Sequence, residues 1–293
     1  MRTKTIFIAL LTLIAASACT PEPSDICTGP RLFTSATTPT FGTWQGTVTN
    51  VSYGANSQQN MDVNLPTVRN GSNLAFIVVH GGAWTEGGGT SADMIHKLNM
   101  LKERFPTAAF YNVNYRLKPA DLFTNTNLFP TQEEDLEAAL QFVIARRAAD
   151  NVSDKLVIVG YSAGAQLSLL TAYKHNTGNA IKAVAAFAPP TNLYNLQGLG
   201  SAAVNLLDPT TFERNGQSPI NYITSETPPT IFFHGTEDLT VDYGQSTQLL
   251  NALTAQGITK EYYSLKCEGH EFLRANDSVC CNLIQRFVAT NVP

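Results

Sequence analysis

Short apolar runs alternate with longer stretches of helical periodicity along most of this chain. Leu74 to Val79 is a continuous apolar run, and Lys155 to Val159 and Ile181 to Phe187 are similar. Such runs are typical of strands that are buried on both faces. Strands that alternate with helices pair in parallel, because each helix carries the chain back across the sheet. The pattern therefore predicts an α/β fold with a mainly parallel central sheet and helices on both faces.

The predicted elements follow one another without an internal boundary, so residues 41–293 are expected to form a single domain. Strands are predicted at 43–51, 60–65, 74–79, 108–115, 155–159, 181–187, 231–233 and 261–265, and helices at 91–104, 131–149, 164–175, 243–255 and 279–290. Thr131 to Glu134 has the form of a capping box. The acidic run Glu133 to Asp135 is expected to be a solvated first turn of that helix. Residues 190–228 lack periodicity and lie between proline pairs, which indicates a small insertion over one edge of the sheet.

The charge content excludes some classes of partner. The chain has 293 residues, of which 43% are hydrophobic and 14% charged, and its net charge is −4. It is long enough to bury a sizeable core and too apolar to be disordered. No basic block occurs, and binding to nucleic acid phosphates requires one. A nucleic acid partner is therefore not expected.

The N-terminus has the pattern of an export signal. Arg2 and Lys4 precede an apolar run from Ile6 to Ile14, which is too short to span a bilayer as a helix. Small residues at 15–18 lead directly to Cys19. This is the form of a secretory signal peptide covering residues 1–18.

Small residues directly before a cysteine also resemble a bacterial lipobox, in which Cys19 would be lipidated and become the new N-terminus. The alternative is ordinary cleavage after Ala18. Residues 19–40, rich in Pro, Thr and Ser at their start, are expected to be a tether. No later segment reaches the length of a membrane-spanning helix. We therefore expect an exported protein, either a bacterial cell-envelope lipoprotein that contacts the membrane only through its lipid anchor or a periplasmic or secreted protein.

The remaining cysteines suggest disulfides. If Cys19 carries lipid, an even number remains, namely Cys27, Cys267, Cys280 and Cys281. In an exported protein this favours two bonds. Cys267 is expected to pair with one of the two neighbours and Cys27 with the other, so that a bridge closes a loop of about 15 residues around His270. A zinc site is the alternative, but no histidine accompanies the cluster at ligand spacing.

The strongest functional motif is Gly-Tyr-Ser-Ala-Gly at residues 160–164. It follows a predicted strand and precedes a predicted helix, which is the context that G-x-S-x-G requires. A sharp turn there projects the hydroxyl of Ser162 from the sheet edge, and the helix N-terminus favours developing negative charge. Ser162 is therefore the candidate nucleophile.

A second motif, His-Gly-Gly-Ala-Trp at residues 80–84, follows the strand that ends at Val79. It resembles the H-G-G-G loop of esterases and lipases, whose backbone N–H groups bind a substrate oxyanion. The N–H groups of Gly82, Ala83 and Ala163 are the candidate oxyanion hole. Such donors stabilise a tetrahedral intermediate without side-chain chemistry.

The acid and the base are expected later in the chain, in the order Ser, Asp, His. Asp238 lies just after the strand at 231–233, with Glu237 and Asp242 as competitors. His270 follows the last predicted strand. His270 would exchange a proton with Ser162, and Asp238 would hold the imidazole in the required tautomer.

These motifs together resemble a known family. The chain is similar to serine esterases of the α/β-hydrolase superfamily, in the branch of hormone-sensitive-lipase-like and bacterial carboxylesterase or feruloyl-esterase-like enzymes. The matching segments lie in the same order over roughly residues 55–290: 80–84, 113–117, 160–164, 218–220, 228–238 and 269–270. The resemblance implies hydrolysis of carboxylic esters through an acyl-serine, with no metal and no organic cofactor.

The substrate is expected to be a small-molecule ester, with a short-chain or aryl acyl group. A formamidase or an acyl-peptidase would use the same chemistry, since the His-Gly-Gly-x-Trp loop also occurs in formamidases. A binding protein on a hydrolase scaffold is the alternative from another class, although such proteins typically lose a triad residue. The sequence leaves the oligomeric state open.

Overall fold

The computed structural model describes residues 46–119, 124–208, 211, 213–272 and 274–292. Eight strands lie in one sheet: β1 Thr47–Ser52, β2 Asn60–Asn64, β3 Ala75–Val79, β4 Ala109–Val113, β5 Leu156–Tyr161, β6 Ile181–Phe187, β7 Thr230–Gly235 and β8 Lys260–Leu265. The α-helices are α1 Ala92–Arg104, α2 Thr131–Arg146, α3 Ala163–Lys174, α4 Gly200–Leu207, α5 Gly244–Ala255 and α6 Arg274–Asn291.

The strand order is β1-β2-β4-β3-β5-β6-β7-β8. β2 pairs antiparallel with both β1 and β4, whereas β4, β3, β5, β6, β7 and β8 pair in parallel. The predicted mainly parallel α/β sheet is confirmed. Because β3, β5, β7 and β8 run in the same direction, the loops that follow them meet at one edge of the sheet.

Side chains alternate between two cores, as the period of two in a strand requires. Ile77 and Val79 of β3 belong to the core on the face covered by α2, α3 and α5. Phe76 and Val78 of the same strand belong to the core beneath α1 and α6. Both faces of the sheet are therefore buried, which explains why the strands have continuous apolar sequences.

The segment 190–228 connects β6 to β7 and includes α4. Four of its apolar side chains are buried in the main core: Leu193, Leu196, Val204 and Leu207. The backbone N–H of Gly200 donates to the carbonyl of Thr240 at 2.7 Å. The insertion is therefore fastened to the loop that follows β7.

The start of α2 differs from the prediction. Pro130 is the residue before the first turn, and no side chain caps the helix, so Thr131 to Glu134 do not form a capping box. Glu133 and Asp135 are buried rather than solvated. The guanidinium of Arg116 donates to Asp135 Oδ1 from Nη2 at 2.5 Å and from Nε at 2.9 Å. Only such an ion pair makes a buried carboxylate tolerable.

The predicted pairing of Cys267 with a neighbour in α6 is wrong. Cys267 is disulfide-bonded, but neither Cys280 nor Cys281 takes part in a disulfide. Both thiols point from α6 into the apolar core against the sheet, and burial raises the pKa of Cys281 to about 12. The proposed loop around His270 is therefore not closed by α6. The other two cysteines, Cys19 and Cys27, lie outside the described residues.

The signal peptide at 1–18, the lipidation of Cys19 and the tether at 19–40 also lie outside the described residues. In the part of the chain that the structure describes, no helix combines the length and apolar content needed to cross a membrane.

Candidate active site

Ser162 occupies a strained turn between β5 and α3. Its φ of 53° and ψ of −120° lie in a region that side-chain-bearing residues rarely adopt. The turn is held by the N–H of Ser162, which donates to the carbonyl of Phe187 at 2.8 Å. Backbone strain of this kind persists only where the surroundings enforce it. The result is a hydroxyl presented at the carboxyl edge of the sheet.

The two glycines of the motif are required by close backbone packing. A Cβ on Gly160 would lie 2.2 Å from the carbonyl oxygen of Gly164. A Cβ on Gly164 would lie 2.3 Å from the carbonyl oxygen of His80 and 2.4 Å from that of Val79. All three distances are too short for any side chain. The turn therefore packs directly against the end of β3, where the second motif begins.

His270 brings an imidazole to this hydroxyl from the loop after β8. Its Nε2 lies 2.9 Å from Ser162 Oγ, and its Nδ1 lies 2.7 Å from Asp238 Oδ2. A carboxylate oxygen can only accept, so Nδ1 carries the proton and Nε2 is free to accept from the serine. The three side chains predicted from the sequence are thus brought together in one hydrogen-bonded chain.

Asp238 is the buried end of that chain. Its Oδ1 accepts from the N–H groups of Thr240 and Val241, both at 2.8 Å. Burial raises the pKa of Asp238, but hydrogen bonds from His234, His270 and the N–H of Val241 outweigh this effect and hold the pKa well below the ordinary range. The carboxylate therefore stays ionised.

The two competitors for the role of Asp238 are placed elsewhere. The Oδ1 atom of Asp242 accepts from the N–H of Gln197 at 3.0 Å, and Glu237 is exposed. Neither is hydrogen-bonded to His270 among the described residues. The structure thus favours Asp238.

The His-Gly-Gly-Ala-Trp loop lies beside the serine. Gly82 has a φ of 112° and Ala83 a φ of 50°, and the N–H groups of Thr85 and Glu86 donate back to the carbonyl of Gly82 at 3.0 and 2.9 Å. Within the described loops and caps, no carbonyl accepts from the N–H groups of Gly82, Ala83 or Ala163. These three groups remain available to a ligand.

Two aromatic side chains hold this loop in place. The ring of His80 stacks on Tyr115 with centroids 4.3 Å apart, and the hydroxyl of Tyr115 donates to the carbonyl of His80 at 3.0 Å. Trp84 is buried, and its Nε1 donates to Gln166 of α3 at 2.9 Å. Burial lowers the pKa of His80 to about 4, so this histidine is a neutral support rather than a base.

Tyr161 holds the loop that carries His270. Its hydroxyl donates to the carbonyl of His270 at 3.0 Å. Burial raises the pKa of this tyrosine well above its ordinary value, so the hydroxyl remains a donor. The ammonium of Lys97 lies 4.2 Å from the centre of the ring. Tyr161 therefore both packs in the core and lines the cleft.

An open cleft of about 470 Å³ lies above these groups. Ser162, His270, Gly82 and Ala83 are among its lining residues, together with Glu86, Asp93, Thr240 and Glu271. No lysine or arginine is among the described residues that line it. Glu86, Glu271 and Thr240 have no distinguishing sequence spacing, which is why sequence reasoning missed them. No group of three metal-ligating side chains occurs in the described part of the chain.

The chain matches a known family over most of the described sheet. The family model BD-FAE matches residues 61–253. The chain belongs to the BD-FAE family. This is a hydrolase family, and membership confirms the predicted α/β-hydrolase fold and the esterase type of enzyme.

A curated enzyme and several solved structures are also similar to this BD-FAE chain. Kynurenine formamidase of Meyerozyma guilliermondii is 31% identical over 99 residues, which are 34% of this chain and 33% of that enzyme. The chain therefore spans about a third of that relative. Among solved structures, a truncated carbohydrate esterase from gut microbiota has a TM-score of 0.70 at 20% identity and covers 86% of this chain and 98% of its own.

Esterase B of Lactobacillus rhamnosis has a TM-score of 0.67 at 19% identity, over 84% of this chain and 86% of its own. At these identities the two structures show that the BD-FAE chain shares their fold.

Proposed function

We propose that this protein is a serine carboxylic-ester hydrolase that works through an acyl-enzyme. Ser162 is the nucleophile, His270 the general base and acid, and Asp238 the group that orients and stabilises the imidazole. The N–H groups of Gly82, Ala83 and Ala163 are the proposed oxyanion hole. The observation that carries the proposal is the chain from Ser162 Oγ to His270 Nε2 at 2.9 Å and from His270 Nδ1 to Asp238 Oδ2 at 2.7 Å.

In the first half of the proposed reaction, Ser162 Oγ attacks the ester carbonyl and its proton passes to His270 Nε2. The tetrahedral intermediate places its negative oxygen against the free N–H groups, each worth roughly 2.7–4 kcal/mol in comparable sites. The carbon–oxygen bond to the alcohol then breaks, and His270 returns the proton to the leaving alkoxide. The alcohol departs and an ester to Ser162 remains.

In the second half, water replaces the alcohol. His270 accepts a proton from the water, which attacks the acyl-serine. Collapse of the second intermediate releases the carboxylic acid and restores the hydroxyl of Ser162. Asp238 stays ionised throughout, because its hydrogen bonds keep its pKa low. No step requires a metal or a cofactor.

The test combines a covalent probe with a substrate. A fluorophosphonate is expected to label wild-type protein at Ser162, and p-nitrophenyl butyrate is expected to be hydrolysed. Ser162→Ala is expected to lose the label and the activity, by roughly 10⁶-fold in kcat by comparison with other serine hydrolases. Wild-type hydrolysis that persists in Ser162→Ala would exclude the proposal.

For the substrate class, we propose uncharged esters with short-chain or aryl acyl groups. The cleft is open to solvent and carries the carboxylates of Glu86 and Glu271, both exposed. Asp93 is the third carboxylate, but Lys97 neutralises it at 2.6 Å. Like charges repel an anionic substrate and hasten departure of the carboxylate product.

Removal of the two carboxylates from the cleft tests the substrate proposal. The kcat/KM for an ester with a free carboxylate is expected to rise about twofold to fivefold in Glu86→Gln/Glu271→Gln, with little change for p-nitrophenyl butyrate, and the difference should shrink at about 0.5 M salt. Glu226→Gln is the control, because it removes the charge of an exposed carboxylate that lies outside this cleft. Equal response of both esters would contradict electrostatic selection.

A second candidate is hydrolysis of a formyl amide. It is favoured by the 99-residue match to kynurenine formamidase. The same three side chains would act, with an amine as the leaving group that receives the proton from His270. A comparison of kcat/KM for p-nitrophenyl butyrate and for an N-formyl arylamine decides between the two.

For localisation, we propose export and lipidation of Cys19, supported by the N-terminal sequence pattern. Cells fed a labelled fatty acid are expected to incorporate it into wild-type protein and not into Cys19→Ala. Unlabelled wild-type protein in the medium would instead indicate ordinary cleavage.

A further inference from the structure

A second histidine lies directly behind the proposed acid. His234 is the fifth residue of β7, and its side chain is fully buried. Its Nε2 lies 2.9 Å from the carbonyl oxygen of Val241 and 3.2 Å from Asp238 Oδ2. Its Nδ1 lies 2.7 Å from the hydroxyl oxygen of Ser246 on α5. Every nitrogen of this ring therefore has a partner.

The partners determine the tautomer of His234. A carbonyl oxygen and a carboxylate oxygen are both acceptors, so Nε2 must carry the proton. Nδ1 is then the acceptor, and the hydroxyl of Ser246 donates to it. The N–H of Nε2 is thus hydrogen-bonded to the carbonyl of Val241 at 2.9 Å and also lies 3.2 Å from the oxygen of Asp238 that accepts from His270 Nδ1 at 2.7 Å.

We propose that His234, held by Ser246, is a positioning residue for the reaction and acts through Asp238. The inference rests on the proposed serine hydrolase function. Oδ1 of Asp238 is anchored by two backbone N–H groups, whereas among the described side chains Oδ2 is hydrogen-bonded to His270 at 2.7 Å and in contact with Nε2 of His234 at 3.2 Å. His234 therefore fixes the carboxylate plane in which Oδ2 meets His270.

His234 also limits how strongly Asp238 attracts the proton of His270. Two N–H groups face Oδ2, at 2.7 Å from His270 and 3.2 Å from His234, and each reduces the negative charge that the oxygen offers to the other. Among the described residues, the side chains that pair with the carboxylate are these two histidines, and the ring of Tyr243 packs edge-on against His234 with centroids 5.8 Å apart. Without the donor from His234, Asp238 should stabilise protonated His270 more strongly.

The experiment compares His234→Leu with His234→Gln. Leucine removes the donor, whereas the amide nitrogen of glutamine can place an N–H near the position of Nε2. For p-nitrophenyl butyrate, the leucine variant is expected to lose roughly tenfold to hundredfold in kcat with KM nearly unchanged, as for other buried groups that orient a catalytic ligand. Its acid limb of kcat/KM should move to higher pH, and glutamine should restore most of both properties.

Two further variants keep the test decisive. Ser246→Ala removes the hydroxyl that fixes the tautomer of His234 but leaves the imidazole ring in place. It should produce a smaller change of kcat and of the pH profile in the same direction. His175→Leu removes a histidine that is bonded to Glu133, outside the machinery described above, and should change the urea midpoint but not the pH profile.

The proposal is overturned if folded His234→Leu keeps the wild-type kcat and pH profile. It is also overturned if glutamine and leucine impair kcat equally, or if Ser246→Ala leaves both readouts unchanged. These outcomes differ from failure of the proposed function, in which Ser162→Ala itself would remain active.

Discussion

Replacing Gly164 with alanine tests whether the packing of the serine turn controls the site. Gly164 is the second residue of α3. By helix propensity alone, alanine stabilises a helix by up to about 1 kcal/mol relative to glycine. In this structure the added Cβ would lie 2.3 Å from the carbonyl oxygen of His80 and 2.4 Å from that of Val79. Both obstacles are backbone atoms, so α3 and the loop after β3 must separate.

The two effects have opposite signs, and their sizes decide the outcome. Overpacking a tight contact costs about 1–3 kcal/mol. Subtracting the propensity gain leaves a net loss of up to about 2 kcal/mol. The loop at 80–84 carries the proposed oxyanion donors, and a misplacement of about 1 Å at a reacting centre can cost about 10²-fold in rate. We expect lower stability together with a tenfold to hundredfold lower kcat.

Urea unfolding and steady-state hydrolysis of p-nitrophenyl butyrate measure the two effects. Gly244→Ala is the matched control, because Gly244 begins α5 and the nearest atom to its added Cβ is the side-chain oxygen of Asp242 at 2.9 Å. That carboxylate can move aside, so the control should keep full activity. A Gly164→Ala protein that is as stable and as active as wild type would refute the packing argument.

Three further predictions concern stability and thiols. Burial lowers the pKa of His80 to about 4, so the unfolded chain binds more protons than the folded chain between pH 4 and about 6.5. The free energy of unfolding of the wild type should therefore rise by about 3 kcal/mol across that range. His80→Gln should flatten this pH dependence in urea unfolding, and an unchanged pH dependence argues against a buried neutral imidazole. Arg116→Leu should cost about 3–5 kcal/mol, because it removes the cation that pairs with the buried carboxylate of Asp135; a urea midpoint like that of wild type contradicts this. Cys280 and Cys281 should resist a thiol reagent in the native state and react with it once the protein is unfolded without reductant. The variant Cys280→Ser/Cys281→Ser should therefore show two fewer thiols in the unfolded state. Reaction of the wild type in the native state contradicts the burial of these thiols.

The sheet and the serine turn could be predicted from the sequence because local patterns determine them. Ile181 to Phe187 was predicted as a strand with the bounds that the structure shows. The motif at 160–164 requires glycine on both sides of the serine, and the structure supplies the steric reason at each glycine. Order along the chain pointed to His270 and to Asp238, Glu237 or Asp242, and of these acids the structure brings Asp238 to His270.

What could not be predicted depends on contacts between distant segments. Glu133 and Asp135 look like a solvated helical turn until their distant partners are placed beside them, which are Lys174 for Glu133 and Arg116 for Asp135. Cys280 and Cys281 look like partners for Cys267 because sequence spacing does not show that α6 turns both thiols into the core. The contact between Asp238 and His234 likewise depends on the turn after β7, which sequence spacing does not show.

The bond between Gly200 and Thr240 has a consequence for how enzymes with this architecture can diversify. Thr240 belongs to the cleft wall, and it is supported by a segment that lies outside the sheet. None of the described residues of the segment 190–228 lines the cleft itself. Sequence changes in that segment would therefore reach the cleft wall indirectly, through the backbone of Thr240, two residues after Asp238.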